Sequence, residues 1–229
     1  MARKILWLAL ITAACGGSPD GGAEARVGSD RAASAWADAP VVLFLGTSLT
    51  AGYGLDVELA YPALIQYEID AAGLDYRVVN AGVSGETSAG GLRRIDWLLR
   101  EPVAVLVLEL GANDGLRGLD PGAMKRNLAE IIARVRAAYP AVRVVIAGME
   151  APPNFGRSYT TAFRSVFRDL ARETDAALIP FLLDGVGGVL ALNQADGIHP
   201  TAKGHEVVAV SVWSVLGPVL AEQAAGSRR

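Results

Sequence analysis

Five apolar runs punctuate the chain: Val41 to Leu45, Tyr76 to Asn80, Val103 to Leu110, Val142 to Ala147 and Ala177 to Phe181. The first is unbroken and built of β-branched or bulky side chains, as expected of a strand buried on both faces of a parallel sheet. Between the runs the apolar spacing becomes helical. In Ala123 to Ala138, Leu128, Ile131, Ile132 and Val135 fall at i, i+3, i+4 and i+7, which predicts the clearest helix of the chain. Glu58 to Ala71 predicts another, with Pro62 suited to its first turn. Thr87 to Arg100 predicts a third, with Leu92, Ile95, Trp97, Leu98 and Leu99 expected on its buried face. Tyr159 to Glu173 and Ala202 to Leu220 complete the set. Strand and helix alternate throughout, which predicts an α/β domain with a parallel sheet covered on both faces by right-handed crossovers.

The N-terminus follows a different pattern. Arg3 and Lys4 precede the apolar run Ile5 to Ile11, and Ala13 and Ala14 lead to Cys15. A basic start, a short apolar stretch and a small-residue exit describe an export signal over residues 1–14, too short to span a bilayer permanently. The stretch Ile11-Thr12-Ala13-Ala14-Cys15-Gly16-Gly17 resembles a bacterial lipobox, with Thr12 where Leu is usual. The resemblance implies that Cys15 is lipidated and becomes the mature N-terminus; the alternative is a soluble secreted protein cleaved nearby. Residues 15–40, rich in Gly, Ser, Asp and Ala, bury too little to offset chain entropy and are expected to form a disordered tether. A flexible tail is expected over 223–229, leaving 41–222 as one domain. Cys15 is the only cysteine, so no intramolecular disulfide forms. A net charge of -3 and the lack of any dense Lys/Arg block argue against a nucleic-acid partner.

Unusual chemistry follows the strands. The first run exits into Gly46-Thr47-Ser48, the second into Asn80-Ala81-Gly82-Val83-Ser84-Gly85-Glu86-Thr87, and the third into Gly111-Ala112-Asn113-Asp114-Gly115-Leu116-Arg117-Gly118. A late loop carries Asp196-Gly197-Ile198-His199-Pro200. Serine is a poor nucleophile at neutral pH and needs a base within hydrogen-bond reach. The chain has two histidines, His199 and His205. A bend through Gly197 can bring Asp196 onto one imidazole nitrogen of His199, which would leave the other for Ser48. His205 lacks such a partner and is expected on a helix surface. Acyl transfer also needs donors aimed at an oxyanion, which the N–H of Ser48, the N–H of Gly85 and the amide of Asn113 supply. Neighbouring strands lie roughly 5 Å apart, so these loops can converge on one carbonyl.

These ordered blocks resemble the four signature motifs of the SGNH (GDSL) hydrolase superfamily, and most closely its bacterial thioesterase, lysophospholipase and arylesterase branch. The resemblance covers nearly all of Val41 to Leu220. It implies a three-layer α/β/α sandwich with a flavodoxin-like, five-stranded parallel sheet of order 2-1-3-4-5. It implies that Ser48 is the nucleophile and first oxyanion donor, Gly85 the second and Asn113 the third, with Asp196 and His199 completing the triad. Ala151-Pro152-Pro153-Asn154-Phe155-Gly156 resembles the family loop that lines the acyl pocket, with Pro152 and Asn154 as substrate-binding positions, and Leu116 and Arg117 are expected to shape the same mouth. One departure stands out: Thr47 occupies the place of the Asp that gives the GDSL motif its name, so a weaker hydroxyl replaces that carboxylate's hydrogen bonds.

The expected activity is hydrolysis of carboxylic esters or thioesters through an acyl-enzyme, without metal or other cofactor. Export makes lysophospholipid or a small envelope ester a better substrate than cytoplasmic acyl-CoA, and a lipid anchor is the only expected membrane contact. Deacetylation of an envelope polysaccharide and a non-catalytic lipid-binding lipoprotein are the alternatives. Ser84 is a rival nucleophile, although Ser in a Gly-rich turn more often bonds locally. Asp196, His199 and His205 match no familiar metal spacing. Glu109 ends an apolar strand, where a carboxylate needs partners, and is expected to support the site from beneath.

Overall fold

The computed structural model describes residues 39–227; Cys15, the export signal and most of the expected tether lie outside the described residues. Five strands, β1 (Val41–Gly46), β2 (Arg77–Gly82), β3 (Val103–Glu109), β4 (Arg143–Ala147) and β5 (Ala177–Ile179), form one sheet of order β2-β1-β3-β4-β5. All neighbouring pairs are parallel. The chain also forms helices α1 (Ser48–Ala51), α2 (Tyr61–Ala71), α3 (Ser88–Leu98), α4 (Ala112–Leu116), α5 (Pro121–Ala138), α6 (Gly156–Glu173) and α7 (Ala202–Ser227). Helices α2 and α7 pack together on one face, while α5 packs between α3 and α6 on the other. The order reverses at β1, whose neighbours β2 and β3 are reached by crossovers in opposite directions. Open α/β sheets place their sites above the strand ends at such a reversal.

Every residue of β1 is buried, so its alternating side chains feed both layers. Phe44 meets Tyr61 of α2 edge-on, with ring centroids 5.7 Å apart. On the opposite layer Leu128, Ile131, Ile132 and Val135 of α5 are buried, as their spacing requires. Asp120 caps that helix, accepting from the N–H groups of Gly122 and Ala123 at 3.2 and 2.8 Å, a contribution of about 1 kcal/mol. Trp97 departs from expectation: it is exposed, under the Arg100 guanidinium, while Ile95 is buried. Two residues of helix turn the chain through about 200°, so both side chains cannot face the sheet.

By length and composition α7 could cross a membrane, yet Val208, Val212, Leu216 and Leu220 are buried in the core of this domain. The helix continues to Ser227, and Gln223 Nε2 donates to the Ala104 carbonyl at 3.2 Å. Residues 223–227 are thus helix rather than the flexible tail expected from 223. His205 is also corrected, being 1% exposed. It lies three, seven and eleven residues before Val208, Val212 and Leu216, on the same buried stripe, and its Nδ1 accepts from the Tyr61 N–H at 3.1 Å. Burial, followed by the nearby His199, holds its pKa down at about 4.

Candidate active site

Ser48 begins α1 immediately beyond β1, and the turn that presents it leaves no room for bulk. Gly46 pairs across the sheet with Gly82 and Glu109. A Cβ at Gly46 would lie 2.0 Å from Thr50 Oγ1 and 2.7 Å from Glu109 Oε2. Thr47 caps α1: its Oγ1 accepts from the Leu49 N–H at 3.3 Å and donates to Glu109 at 3.0 Å.

Beneath the turn the Glu109 carboxylate is fully buried. It accepts from the Thr47 N–H and the Thr50 hydroxyl, each at 2.8 Å, besides the Thr47 hydroxyl. Tyr61 OH lies 2.7 Å from Thr50 Oγ1 and extends the network. Glu109 therefore supports the turn that presents Ser48, as expected. Thr47 also does what an ionised Asp could not, because a hydroxyl can donate to the neighbouring carboxylate. Burial raises the Glu109 pKa from 4.5 to about 7, against the opposing effect of hydrogen bonds from Thr47 and Thr50.

The loop after β5 brings the histidine across. His199 Nε2 lies 2.9 Å from Ser48 Oγ, and His199 Nδ1 lies 2.7 Å from Asp196 Oδ2. Asp196 Oδ1 accepts from the backbone N–H groups of Ile198 and His199 at 2.9 and 3.0 Å. The side-chain bond to His199, then the His199 and Ile198 N–H groups, hold the Asp196 pKa down at about 2. Asp196 is consequently ionised at neutral pH. The bend needs Gly197 at φ 70°, a conformation costly for residues with a side chain.

Two residues not anticipated from sequence fix the imidazole. The Tyr53 ring lies 4.5 Å from the His199 ring. Gln194 Nε2 donates to the carbonyls of Tyr53 and Pro200 at 2.7 and 3.0 Å, tying the first and last loops together. Neither residue stands in the short sequence blocks that hold Ser48, Gly85, Asn113, Asp196 and His199.

Gly85 and Asn113 line the same cavity as Ser48 and His199. Gly85 adopts φ 78°, and its carbonyl accepts from Arg117 Nη2 at 3.0 Å. Asn113 Nδ2 donates to the Glu86 carbonyl at 2.9 Å, while Arg94 holds the Glu86 carboxylate at 2.8 and 2.9 Å through Nε. Buried Asp114 accepts from Ser88 N and Ser88 Oγ at 2.8 and 2.6 Å. The loops after β2 and β3 are thus bolted to one another. Ser84, the rival nucleophile, lines the cavity as well, but the imidazole partner belongs to Ser48. Among the described residues no three His, Cys, Asp or Glu side chains gather as metal ligands.

The cavity measures about 410 Å³. Its apolar wall includes Leu49, Leu116, Met149, Leu183 and Ile198. Leu116 is where it was expected. Pro152 and Asn154 are not: the loop after β4 lines the cavity with Met149 and Glu150 instead. By Pro153–Phe155 the chain has entered a 3-10 turn, and Asn154 is exposed.

Comparison with known proteins agrees with this geometry. Residues 44–207 match the model of the GDSL-like lipase/acylhydrolase family. The chain belongs to that family. Esterase TesA of Pseudomonas aeruginosa is 44% identical over 185 residues, covering 80% of this chain and 91% of that protein. Thioesterase 1/protease 1/lysophospholipase L1 of Escherichia coli K12 is 38% identical over 186 residues, covering 80% and 86%. The fold is similar to the crystal structure of the psychrotrophic esterase EstA from Pseudoalteromonas inhibited by monoethylphosphonate. That match has a TM-score of 0.73 at 36% identity and covers 79% of this chain and 98% of the other. Its sheet order and layers make this family member the α/β sandwich that its alternating strands and helices implied.

Proposed function

We propose that the protein hydrolyses carboxylic esters and thioesters through an acyl-enzyme on Ser48. The observation that carries this reading is the continuous contact from Asp196 through His199 to Ser48, at 2.7 and 2.9 Å, on the wall of an apolar cavity. Asp196, ionised, accepts from His199 Nδ1–H and so leaves Nε2 free to act as the base. Nε2 takes the Ser48 proton as Oγ bonds to the acyl carbon and the carbonyl oxygen becomes an oxyanion. The Ser48 N–H, Gly85 N–H and Asn113 amide are the groups that stabilise it. When the intermediate collapses, the bond to the leaving oxygen or sulfur breaks and His199 returns the proton to it. Water then repeats the sequence: it gives a proton to His199, attacks the acyl carbon and releases the acid, and Ser48 Oγ leaves with the proton.

The cavity wall favours an acyl chain over a sugar, which supports lysophospholipid or a simple ester as substrate rather than an acetylated glycan. The basic and apolar leader ending at Cys15 supports export with Cys15 lipidated, which would set the enzyme beside such esters in the cell envelope. A hydrolysis panel of p-nitrophenyl esters, acyl thioesters and lysophosphatidylcholine tests the activity. Ser48→Ala is expected to lose about three or more orders of magnitude in kcat, together with labelling by a fluorophosphonate. Equal rates for the two proteins would reject the mechanism. Radiolabelled palmitate incorporation that survives Cys15→Ala would reject the anchor.

A further inference from the structure

Thirteen large apolar side chains are exposed among the described residues. Three of them, Tyr67, Trp97 and Val210, belong to long helices, Trp97 in the last turn of α3 beside Arg100 and Val103. The other ten all lie between the carboxyl end of a strand and the long helix that follows it. In a parallel sheet those segments share one edge, the edge that carries Ser48 and His199. The segments at the opposite edge, 72–76, 99–102, 139–142 and 174–176, hold none. Isolated exposed apolar residues are ordinary, but concentration at one edge marks an interaction surface.

All five upper loops contribute. Val57, 57% exposed, follows the nucleophile turn, and Leu190, 91% exposed, follows β5. Neither lines the cavity, although Gly187 and Asn193, on either side of Leu190, both do. Leu190 is not loosely held. Buried Asn193 donates through Nδ2 to the carbonyls of Val186 and Val189 at 2.6 and 2.9 Å, so the turn is built to display the leucine. Phe155 is likewise propped outward, against Gly118 and the Tyr159 ring.

We propose that this rim seats the catalytic mouth on a zwitterionic lipid surface. The inference rests on the acyl-hydrolase reading only in taking the mouth as the point of substrate entry. A second copy of the chain seated on the rim would cover that mouth, whereas a lipid surface delivers a monoacyl substrate into it. The charge on the rim favours a surface without net charge. On these loops exposed Asp56, Glu58, Asp120, Asp184 and Asp196 outnumber Arg117 and Arg157, so among the described residues no basic field draws the rim onto anionic lipid. Apolar tips entering the headgroup boundary supply the attraction.

The test compares wild type with Leu190→Asp, Val57→Asp and, as a control away from the rim, Val210→Asp. All are made in the chain from Gly16 onward, because an apolar leader or lipid would bind vesicles unaided. Residues 39–227 contain all five strands, seven helices and the core, so this chain keeps a complete folding unit. Co-sedimentation with phosphatidylcholine vesicles is measured beside hydrolysis of monomeric p-nitrophenyl acetate. Each rim variant is expected to lower vesicle partitioning by about ten-fold and to leave soluble-ester hydrolysis unchanged, while Val210→Asp alters neither. Wild-type partitioning by the rim variants overturns the proposal, as does an equal loss in Val210→Asp. Concentration-dependent dimers abolished by Leu190→Asp overturn it in favour of a second copy. Inactivity of every protein on the soluble ester sinks the hydrolase reading alone, and the vesicle result still decides this one.

Discussion

Replacing Glu109 by Gln isolates the electrostatic cost of the turn that presents Ser48. The carboxylate is fully buried, accepts from the hydroxyl and backbone N–H groups of Thr47 and Thr50, and forms no ion pair within the described residues. Its pKa rise from 4.5 to about 7 corresponds to about 3 kcal/mol. The sign follows from proton linkage. Between those values the folded protein binds more protons than the unfolded chain, so stability falls as pH rises. Gln resembles the protonated acid in shape and cannot ionise. The stability of Glu109→Gln relative to wild type should therefore climb by about 3 kcal/mol between pH 4.5 and pH 8. His205 acts in the opposite direction, its depressed pKa adding stability that is lost as pH falls from 6.5 towards 4. It is present in both proteins and cancels in the difference. Urea unfolding of the two proteins at matched ionic strength, at intervals across this range, measures that difference. A flat line refutes the reasoning, because it would mean that Glu109 ionises as readily in the fold as in water. Thr47→Asp extends the test: two buried carboxylates would share a proton, and the midpoint of the stability loss should move above that of wild type.

Three further outcomes are expected. Asp196→Asn should lower kcat by about 10³ to 10⁴, since an amide cannot hold the required imidazole tautomer; matching thermal unfolding curves would confirm that the loss is not one of folding. Asn113→Ala should lower kcat by about 10² to 10³ with KM little altered, as removal of an oxyanion donor does, and a change confined to KM in steady-state kinetics would contradict that role. Gly46→Ala should destabilise the fold by about 1–3 kcal/mol through overcrowding of Thr50 and Glu109, read as a lower urea midpoint, and an unchanged midpoint would refute the close approach.

Local pattern was informative where one cause dominates. The continuous apolar stretch at Val41 and the i, i+3, i+4, i+7 series of α5 each respond to burial alone, and the structure places both in the core. Ser48, Gly85, Asn113, Asp196 and His199 stood in short blocks whose residue types suit one chemistry, and all five line one cavity. Helices α1 and α4 were missed because four or five residues are too few to display a helical period. His205 was misplaced because its polarity suggested solvent, although its spacing from Val208 and Val212 already put it on the buried stripe.

The amino-acid order by itself determined the alternation of strand and helix, and with it that the reactive loops would share an edge, since parallel strands must all be left at the same end. Tertiary structure alone decided which side chains meet across that edge. Tyr53 lies beside His199, Gln194 spans 141 residues to its carbonyl partner on Tyr53, and Met149 rather than Pro152 lines the cavity. Such contacts depend on the angle at which each loop leaves its strand. That angle is set by packing against the other loops, which no stretch of sequence encodes on its own.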